Sequence, residues 1–288
     1  MESGAQVGEI IRKRYSCRNY REEGLPQESA EKLERYVRES GPAPLGSEIR
    51  FSLAAANGGD SAALKGLGTY GVIKNPAAFI IGALKESRFA LEDYGYLMEK
   101  NILFATSLGL GSCWLGGSYT RSSFAERIGC GADERVPAVA SVGLVSDRKT
   151  VVDSFFRATA GSRKRKPWEE IFFQGNFQTP LGPEGAQAYR DALEMLRIAP
   201  SASNKQPWRI VKEAKSDTYH FFLCRSKAYG MSMRLIGMDD LQRVDMGIAM
   251  SHFELAARAA GRTGEWEAVK DGIPAGGGCE YVTSWTGA

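Results

Sequence analysis

The sequence has few residues of the kinds that build metal centres, disulfide frameworks or nucleophilic catalytic sites. Its five cysteines are widely scattered and form no C-x-x-C pair, so we expect neither a disulfide framework nor a four-thiolate zinc site, and a reducing cytoplasm is the simpler setting. The two histidines, His220 and His252, belong to no H-E-x-x-H motif, which excludes a His-rich metal site. Both lie in apolar patterns that favour structural roles. If the protein is an enzyme, we expect a cofactor to carry the chemistry. We expect no catalytic side chain and no metal.

Long hydrophobic runs and a strong net charge are also missing. The apolar runs at 77–84 and 137–145 contain 8 and 9 residues, far short of the roughly 20 that span a bilayer. Charged residues occur within the first ten positions and no apolar segment follows them, so we expect no signal peptide. A net charge of +3 is too weak to indicate nucleic acid. We therefore expect a cytoplasmic protein with a small-molecule substrate and with neither nucleic-acid nor membrane partners.

Hydrophobic periodicity predicts alternating helices and buried strands, typical of an α+β protein. In the first part of the sequence it predicts helices over 27–40 and 93–109 and strands over 78–84 and 137–145. In the second part it predicts helices over about 185–198 and 245–260 and strands near 209 and over 219–224. Because the order of elements is similar in both parts, the sequence indicates an internal repeat.

A shift of 152 residues makes this repeat explicit. Over the 22 positions from 93 to 114 it gives seven identities, against the one or two expected from average composition. The matches are Asp93/Asp245, Gly95/Gly247, Met98/Met250, Leu103/Leu255, Ala105/Ala257, Gly109/Gly261 and Trp114/Trp266. Two amphipathic helices could share Ala and Leu by chance, but the shared Asp, Gly and Trp positions favour a degenerate tandem duplication. Such a fusion would place a former dimer interface within one chain.

Two basic segments are candidate anion sites. Arg14, Ser16 and Arg18 alternate, so an extended backbone would direct all three to one side, where they suit a phosphate or a polarised carbonyl. The second segment, 162–168, contains four consecutive cations, which repel each other unless they face solvent or an anion. The alternatives are a solvated basic stretch for the first segment, and a surface loop or targeting-like patch for the second.

Two further segments, 109–117 and 199–208, combine small residues with tryptophan, and the second also contains prolines. Small side chains let backbone N–H and C=O groups approach a flat ligand closely. A dinucleotide-binding G-x-G-x-x-G is excluded because Gly109 ends a helix and position 114 is Trp. Each segment could also be an ordinary loop.

Taken in order, these segments resemble the FMN-dependent nitroreductase family, in particular nitroreductases built as a tandem of two similar halves. Arg14-x-Ser16-x-Arg18 resembles the N-terminal flavin motif, and Pro200-Ser201-Ala202-Ser203-Asn204 the Pro-Ser-x-x-Asn flavin loop. The stretch 110–117 resembles the segment over the reactive edge of the flavin, and 163–167 the basic closing segment on the phosphate. The resemblance covers nearly the whole chain. It implies an α+β nitroreductase-like fold with central mixed sheets flanked by helices, with halves at 1–175 and 176–288.

The resemblance also implies roles for the matching positions. Arg14 and Ser16, with Arg163 and Arg165, would hold the FMN phosphate, and Arg18 would face the N1/C2 edge and stabilise the reduced flavin. The backbone from Trp114 to Gly117 would donate to N5 and O4, and Tyr70 and Gly71 would touch the pyrimidine edge by a looser alignment. The full set of expected cofactor-binding residues is Arg14, Tyr15, Ser16, Arg18, Tyr70, Gly71, Trp114, Leu115, Gly116, Gly117, Arg163, Arg165, Pro200, Ser201, Ala202 and Asn204.

Departures from the family pattern bear on stoichiometry. The first half has 42–47, Pro-Ala-Pro-Leu-Gly-Ser, where the Ser-Asn loop would be. The second half has 262–266, Arg-Thr-Gly-Glu-Trp, in place of Trp-Leu-Gly-Gly, and lacks an Arg-x-Ser-x-Arg opening. We therefore expect one composite FMN site per chain and a monomer that acts as a pseudo-dimer.

The expected activity is transfer of hydride from NAD(P)H through bound FMN to a small electrophile such as a nitroaromatic or a quinone. Four segments together are needed for this interpretation, and the acceptor rests on family analogy alone. The alternatives are a non-redox flavin carrier or sensor, a cofactor-free nucleic-acid-binding protein, and a flavin-destroying or dehalogenating enzyme of the same fold.

Overall fold

The computed structural model describes residues 4–55, 64, 67–146, 164–226, 238–268, 276 and 278–288. The chain forms two compact units. We call Arg12–Gly161 the first unit, and Met1–Ile11 with Ser162–Ala288 the second unit. The boundary at 175/176 stays a prediction.

The first unit is built around an antiparallel sheet. After α1 (Gly4–Lys13) its elements are α2 (Gln27–Arg38), β1 (Ile49–Ala55), β2 (Ala78–Lys85), α3 (Ala90–Ser107), β3 (Gly111–Leu115), α4 (Arg121–Ile128), β4 (Glu134–Arg135) and β5 (Val139–Gly143). The strands lie in the order β1-β2-β5-β3, and β4 pairs with β2. Each neighbouring pair is antiparallel.

The second unit contains a mixed sheet. Its elements are a 3-10 turn at Trp168–Glu170, β6 (Phe172–Gln174), a 3-10 turn at Gln187–Tyr189, α5 (Arg190–Arg197), a 3-10 turn at Ala202–Asn204, β7 (Trp208–Lys212), β8 (Thr218–Leu223), α6 (Leu241–Ala259), β9 (Gly264–Glu267) and β10 (Glu280–Gly287). The strand order is β6-β7-β8-β10-β9, with β6 parallel to β7 and the other pairs antiparallel. The part β7-β8-β10-β9 therefore matches β1-β2-β5-β3 in chain order and in pairing.

The long helices α3 and α6 are buried over most of their length. Helix α3 follows β2 and helix α6 follows β8, which are matching strands of the two sheets. Each helix carries buried acidic residues, which are Glu92, Asp93 and Glu99 in α3 and Asp245 and Glu254 in α6. Burying a carboxylate costs free energy unless hydrogen bonds or a cation compensate it. These positions are therefore where each unit can be expected to hold other segments through polar contacts.

The predicted helices and strands are present with small shifts in their ends. The helix expected over 93–109 is α3, which begins three residues earlier, and the strand expected over 137–145 is shorter in the structure. The helix expected from about 185 begins as a 3-10 turn and becomes α-helical at Arg190. Gly109 and Gly261, expected to end the two long helices, have φ values of 79° and 74°, which glycine adopts readily.

One disulfide, Cys224–Cys279, joins two residues 55 positions apart in the second unit. The scattered cysteine spacing did not indicate it. Cys224 follows β8 and Cys279 precedes β10, and the adjacent residues Leu223 and Glu280 are register partners. Sheet pairing therefore brings the two cysteines together. Disulfides are unusual in a reducing cytoplasm, so this pair does not support the location inferred from the cysteine spacing. The cytoplasmic location stays a prediction.

Among the described helices, none combines the length and the apolar content needed to cross a membrane.

Candidate functional site

The basic segment at the start of the first unit lies alongside β3. Ser16 forms a parallel bridge with Ser112, and the Cys17 N–H donates to the Ser112 carbonyl at 2.8 Å. The approach is close because β3 begins at Gly111, where a Cβ would lie 3.1 Å from the Cβ of Cys17 and 2.8 Å from a methyl group of Val145. A side chain at this position would push the basic segment away from the sheet.

Arg14, Ser16 and Arg18 all act on the Cys113 thiol in β3. Burial raises the pKa of this thiol, and the charges of Arg18 and Arg14 and a hydrogen bond with Ser16 oppose that rise. All three side chains of the alternating motif therefore influence the same buried thiol, and their role in cofactor binding stays a prediction. Tyr15, between Arg14 and Ser16, is one of the exposed large hydrophobic residues, with 41% of its surface accessible.

The same segment is hydrogen-bonded to Lys74, which follows the loop that contains Tyr70 and Gly71. The Lys74 N–H donates to the Arg18 carbonyl at 2.9 Å, and the Tyr20 N–H donates to the Lys74 carbonyl at 3.1 Å. Tyr70 and Gly71 have φ values of 49° and 73°, and the Tyr70 side chain is 72% exposed. A left-handed conformation is uncommon for tyrosine. It presents an aromatic ring to solvent on a loop bonded to the basic segment.

A buried carboxylate lies between Arg14 and Trp114. The Trp114 Nε1–H donates to Glu99 Oε2 at 2.6 Å, and Arg14 Nε lies 3.6 Å from Glu99 Oε1. The Glu99 side chain is 0% exposed and that of Arg14 is 8% exposed. Because β3 ends at Leu115, the chain bends away from the strand at Gly116 and Gly117, directly beyond the anchored tryptophan.

In the second unit, the predicted Ser-Asn loop follows α5. The Ala202 N–H donates to Asp245 Oδ1 at 2.8 Å, and the Ser201 hydroxyl accepts the Gln206 N–H at 2.9 Å. Ser203, Asn204 and Gln206 have φ values of 48°, 53° and 48°. Three non-glycine residues in left-handed conformations within four positions indicate a strained loop that its surroundings hold in place.

The described part of the basic segment 164–166 is bonded to this loop. Arg165 Nη1 donates to Asn204 Oδ1 at 3.2 Å, while its Nε and Nη2 donate to the Ile198 carbonyl. Asn204 Nδ2 donates to the Lys164 carbonyl at 2.9 Å. The segment and the loop predicted to bind one cofactor therefore contact each other directly.

Gln206 connects these contacts and was not among the predicted site residues. It is 4% exposed, its Oε1 accepts the Lys166 N–H at 2.8 Å, and its Nε2 donates to carbonyl oxygens of Lys164 and Asn204. Its own carbonyl accepts from Arg209 Nη1 at 3.3 Å. The sequence gives Gln206 only as a continuation of the loop motif, because contacts to a segment 40 positions earlier cannot be deduced from spacing.

Asp245 was noted in the sequence only as a repeat match, and the structure gives it a contact with the site loop. It is 2% exposed, and burial raises the pKa of its carboxyl well above the usual range, while the bond from the Ala202 N–H opposes this. Its Oδ2 has no hydrogen-bond partner within the described ranges. The signal in the sequence was the shared Asp at the start of both long helices.

The described site residues thus form two clusters, one in each unit. The first-unit cluster contains Arg14, Tyr15, Ser16, Arg18, Tyr70, Gly71, Trp114, Leu115, Gly116 and Gly117. The second-unit cluster contains Arg165, Pro200, Ser201, Ala202 and Asn204. Arg163 lies outside the described residues, and cofactor binding by each of these residues stays a prediction.

Solved structures similar to this chain include three proteins described as nitroreductases. A "putative nitroreductase" from Thermotoga maritima is 22% identical, with a TM-score of 0.59, over 99% of this chain and 94% of that one. A nitroreductase family protein from Clostridium difficile is 19% identical over 57% and 94%, with a TM-score of 0.42. A nitroreductase with bound FMN from Bacteroides fragilis is 20% identical over 50% and 94%, with a TM-score of 0.36. No curated protein matches the chain.

The similarity to the Thermotoga protein extends over nearly the full length of both chains and shows a shared α+β nitroreductase-like fold. A family model described as "Putative TM nitroreductase" matches residues 6–257. This match confirms the resemblance that the motifs indicated, and the chain therefore belongs to this nitroreductase family.

Proposed function

We propose that this chain is an FMN-dependent oxidoreductase that uses NAD(P)H as its electron donor and reduces a small electrophile such as a nitroaromatic or a quinone. The observation that carries the proposal is the state of Arg14. Its side chain is 8% exposed, yet in the described structure its guanidinium makes no hydrogen bond to the protein. A buried guanidinium with unused donors is suited to an anionic ligand.

The surrounding donors fit the phosphate and ring of FMN. Ser16 makes a hydrogen bond with the Cys113 thiol, and the charges of Arg18 and Arg14 both act on that thiol, so we assign a hydroxyl and a second guanidinium to the same proposed site as the buried one. In the proposed site Arg14 and Ser16 bind the phosphate, and Arg18 stabilises negative charge on the ring. Bound FMN would supply the hydride and electron-transfer chemistry that the side chains lack. The backbone at 114–117 and the loop at Tyr70 and Gly71 would orient the ring.

The Ser-Asn loop and Arg165 are the residues of the second unit that we propose to bind FMN. The chain order and pairing shared by β1-β2-β5-β3 and β7-β8-β10-β9 support a tandem duplication, since independent origins would not favour the same crossover pattern. We infer that the chain acts as a monomeric pseudo-dimer.

The proposal includes a stoichiometry of one FMN per chain. The loop 42–47 of the first unit lacks the Ser-Asn pair, and both oxygens of Asp93 are bonded to it, through the Leu45 and Ser47 N–H groups at 2.9 and 3.0 Å. In the second unit, the basic residue beside the helix glutamate is Arg258, which the protein itself binds. Neither arrangement provides the donors of a second site.

Anaerobic absorbance spectroscopy tests the redox proposal. The purified protein, supplied with FMN, should show a bound-flavin spectrum that NADH or NADPH bleaches and that a nitroaromatic or quinone restores. Dithionite reduction of the same sample controls for a flavin that is reducible in principle. Bleaching by dithionite but by neither nicotinamide would contradict the enzyme and favour a flavin carrier or sensor, and failure to bind FMN at all would contradict both.

A further inference from the structure

The buried carboxylate of Glu99 joins two parts of the proposed flavin site. It accepts the Trp114 indole N–H at 2.6 Å through one oxygen and lies 3.6 Å from Arg14 Nε through the other. Its side chain is 0% exposed. Because an unpaired buried carboxylate is costly, these partners stabilise it, and in turn it constrains the positions of both.

The second unit contains a comparable group of Glu254, Trp266 and Arg258. The Trp266 indole N–H donates to Glu254 Oε2 at 2.6 Å, and Arg258 Nε donates to Glu254 Oε1 at 2.6 Å. Glu254 precedes its tryptophan by 12 residues, and Glu99 precedes its own by 15. Counted from the tryptophan, Glu254 therefore lies about one helical turn later in α6 than Glu99 does in α3.

The two groups differ in the contacts that other protein groups make with the arginine guanidinium. Arg258 comes from the same helix as Glu254, its Nη2 donates to the Gly264 carbonyl at 3.0 Å, and its Cζ lies 5.4 Å from the centre of the Trp285 ring. Arg14 comes from the N-terminal basic segment and lies 3.6 Å from Glu99 Oε1 through Nε, with no protein hydrogen bond from its Nη groups in the described residues. The second-unit guanidinium is bound by other protein groups, whereas the two Nη groups of the first-unit guanidinium make no hydrogen bond within the described residues.

We propose that Glu99 is a positioning residue that fixes Arg14 by its Nε edge, so that its two Nη groups bind the phosphate of FMN, and that the same carboxylate anchors Trp114 beside the ring-binding segment. This inference rests on the proposed function. Glu99 touches neither substrate nor cofactor, and the effect of Glu99→Gln on FMN passes through Arg14, because the glutamine amide oxygen can still accept the Trp114 indole N–H.

The competing effect is electrostatic. Removing a negative charge near a phosphate site would by itself favour the anion, whereas removing the partner of a buried guanidinium releases the side chain from its bound geometry. Since the described residues give Arg14 no hydrogen bond and no ion pair other than the one with Glu99, we expect the loss of geometry to dominate and FMN binding to weaken.

The test is a set of FMN dissociation constants from titrations of flavin fluorescence for the wild-type chain, Glu99→Gln, Glu254→Gln, Arg14→Gln and the Arg14→Gln/Glu99→Gln double variant. Glu99→Gln should weaken FMN binding about tenfold, and the matched control Glu254→Gln should change it less than about twofold. In the Arg14→Gln background, Glu99→Gln should have no further effect beyond about twofold. A purely structural role would instead weaken binding equally in both backgrounds.

The outcomes separate this inference from the proposed function. If the wild-type chain does not bind FMN, the proposed function fails. If it binds FMN and Glu99→Gln matches Glu254→Gln, binds more tightly, or adds its full effect to Arg14→Gln, the positioning role is overturned. Should Glu99→Gln fail to fold, Glu99→Asp keeps the charge but shortens the reach, and it should weaken FMN binding only when Arg14 is present.

Discussion

In the first unit, Asp93 accepts N–H groups from Leu45 and Ser47 through both carboxylate oxygens, whereas in the second unit Asp245 accepts the Ala202 N–H through one. Both residues belong to the long helix of their unit and hold the loop that precedes the first matched strand. In the first-unit loop, the carboxylate accepts two backbone N–H groups. The second-unit loop has three non-glycine residues with positive φ and depends on additional side chains. Equivalent architecture therefore supports a relaxed loop in one unit and a strained loop in the other, and strain of this kind is typical of ligand sites.

The Glu–Trp pairs show the same divergence. Each unit uses a glutamate of its long helix to hold a tryptophan at 2.6 Å, but the accompanying arginine is local in the second unit and comes from the basic segment in the first. The same glutamate–tryptophan contact is therefore accompanied by an arginine that the protein binds in the second unit and by one that we propose to bind FMN in the first unit.

The largest difference concerns the covalent link, since Cys224–Cys279 lies in the second unit and Cys17, Cys113 and Cys130 are free. Replacing both Cys224 and Cys279 by Ser removes a link across 55 positions, which should lower the free energy of unfolding by about 4 kcal/mol because the unfolded chain gains freedom. Denaturant titration measures it, with Cys130→Ser as control. Equal effects of the two changes would contradict the prediction.

The next effect concerns the two arginines beside the helix glutamates. Arg14→Gln should weaken FMN binding about 100-fold, because it removes a buried charged donor of the proposed phosphate site. Arg258→Gln should leave FMN binding within about twofold, since the protein already binds that guanidinium. Isothermal titration measures both, and comparable losses in the two variants would show that the units do not differ as proposed.

The two aspartates provide a third comparison. Asp93→Asn turns one accepting oxygen into an N–H donor facing a backbone N–H, and should lower the free energy of unfolding by about 2 kcal/mol. Asp245→Asn can keep its bond from the Ala202 N–H and replaces an oxygen that has no hydrogen-bond partner in the described residues, so we expect a change below about 1 kcal/mol. Thermal and urea unfolding of both variants check the order, and a larger loss for Asp245→Asn would reverse it.

The smallest effect is in the pH dependence of stability. In the first unit, hydrogen bonds from Arg50 lower the pKa of Glu134 to about 2. A lowered native pKa stabilises the fold above the ordinary pKa of 4.5, and this contribution is lost as the pH falls toward 2. Wild type should therefore exceed Glu134→Gln by less than about 1 kcal/mol near neutral pH, because Arg50 is partly exposed, and the difference should vanish in acid.

Asp245 should show the opposite trend. Burial raises the pKa of its carboxyl, so the native state binds a proton more tightly than the unfolded state. The stability of wild type relative to Asp245→Asn should therefore fall as the pH rises above the ordinary Asp pKa of 3.8. Urea unfolding at several pH values compares the two acids, and parallel trends for Glu134 and Asp245 would contradict the assigned directions.

Much of the fold could be predicted from the sequence because the long helices and buried strands have strong periodicity. The repeat match also selected Asp93, Asp245, Trp114 and Trp266, which proved to make corresponding contacts. The shift of 152 residues did not align Glu99 with Glu254, because Glu254 lies about one helical turn closer to its tryptophan than Glu99 does. The disulfide and the contacts of Gln206 join positions distant in sequence, and they depend on sheet pairing and loop packing that no local pattern specifies.

The most direct test of the central claim is the number of FMN molecules that one chain binds. Titration of flavin-free protein, with the concentration of chains determined independently, should saturate at one equivalent, and Arg14→Gln should abolish saturation over the same range while Arg258→Gln leaves it unchanged. Two equivalents per chain, or saturation unaffected by Arg14→Gln, would contradict the account.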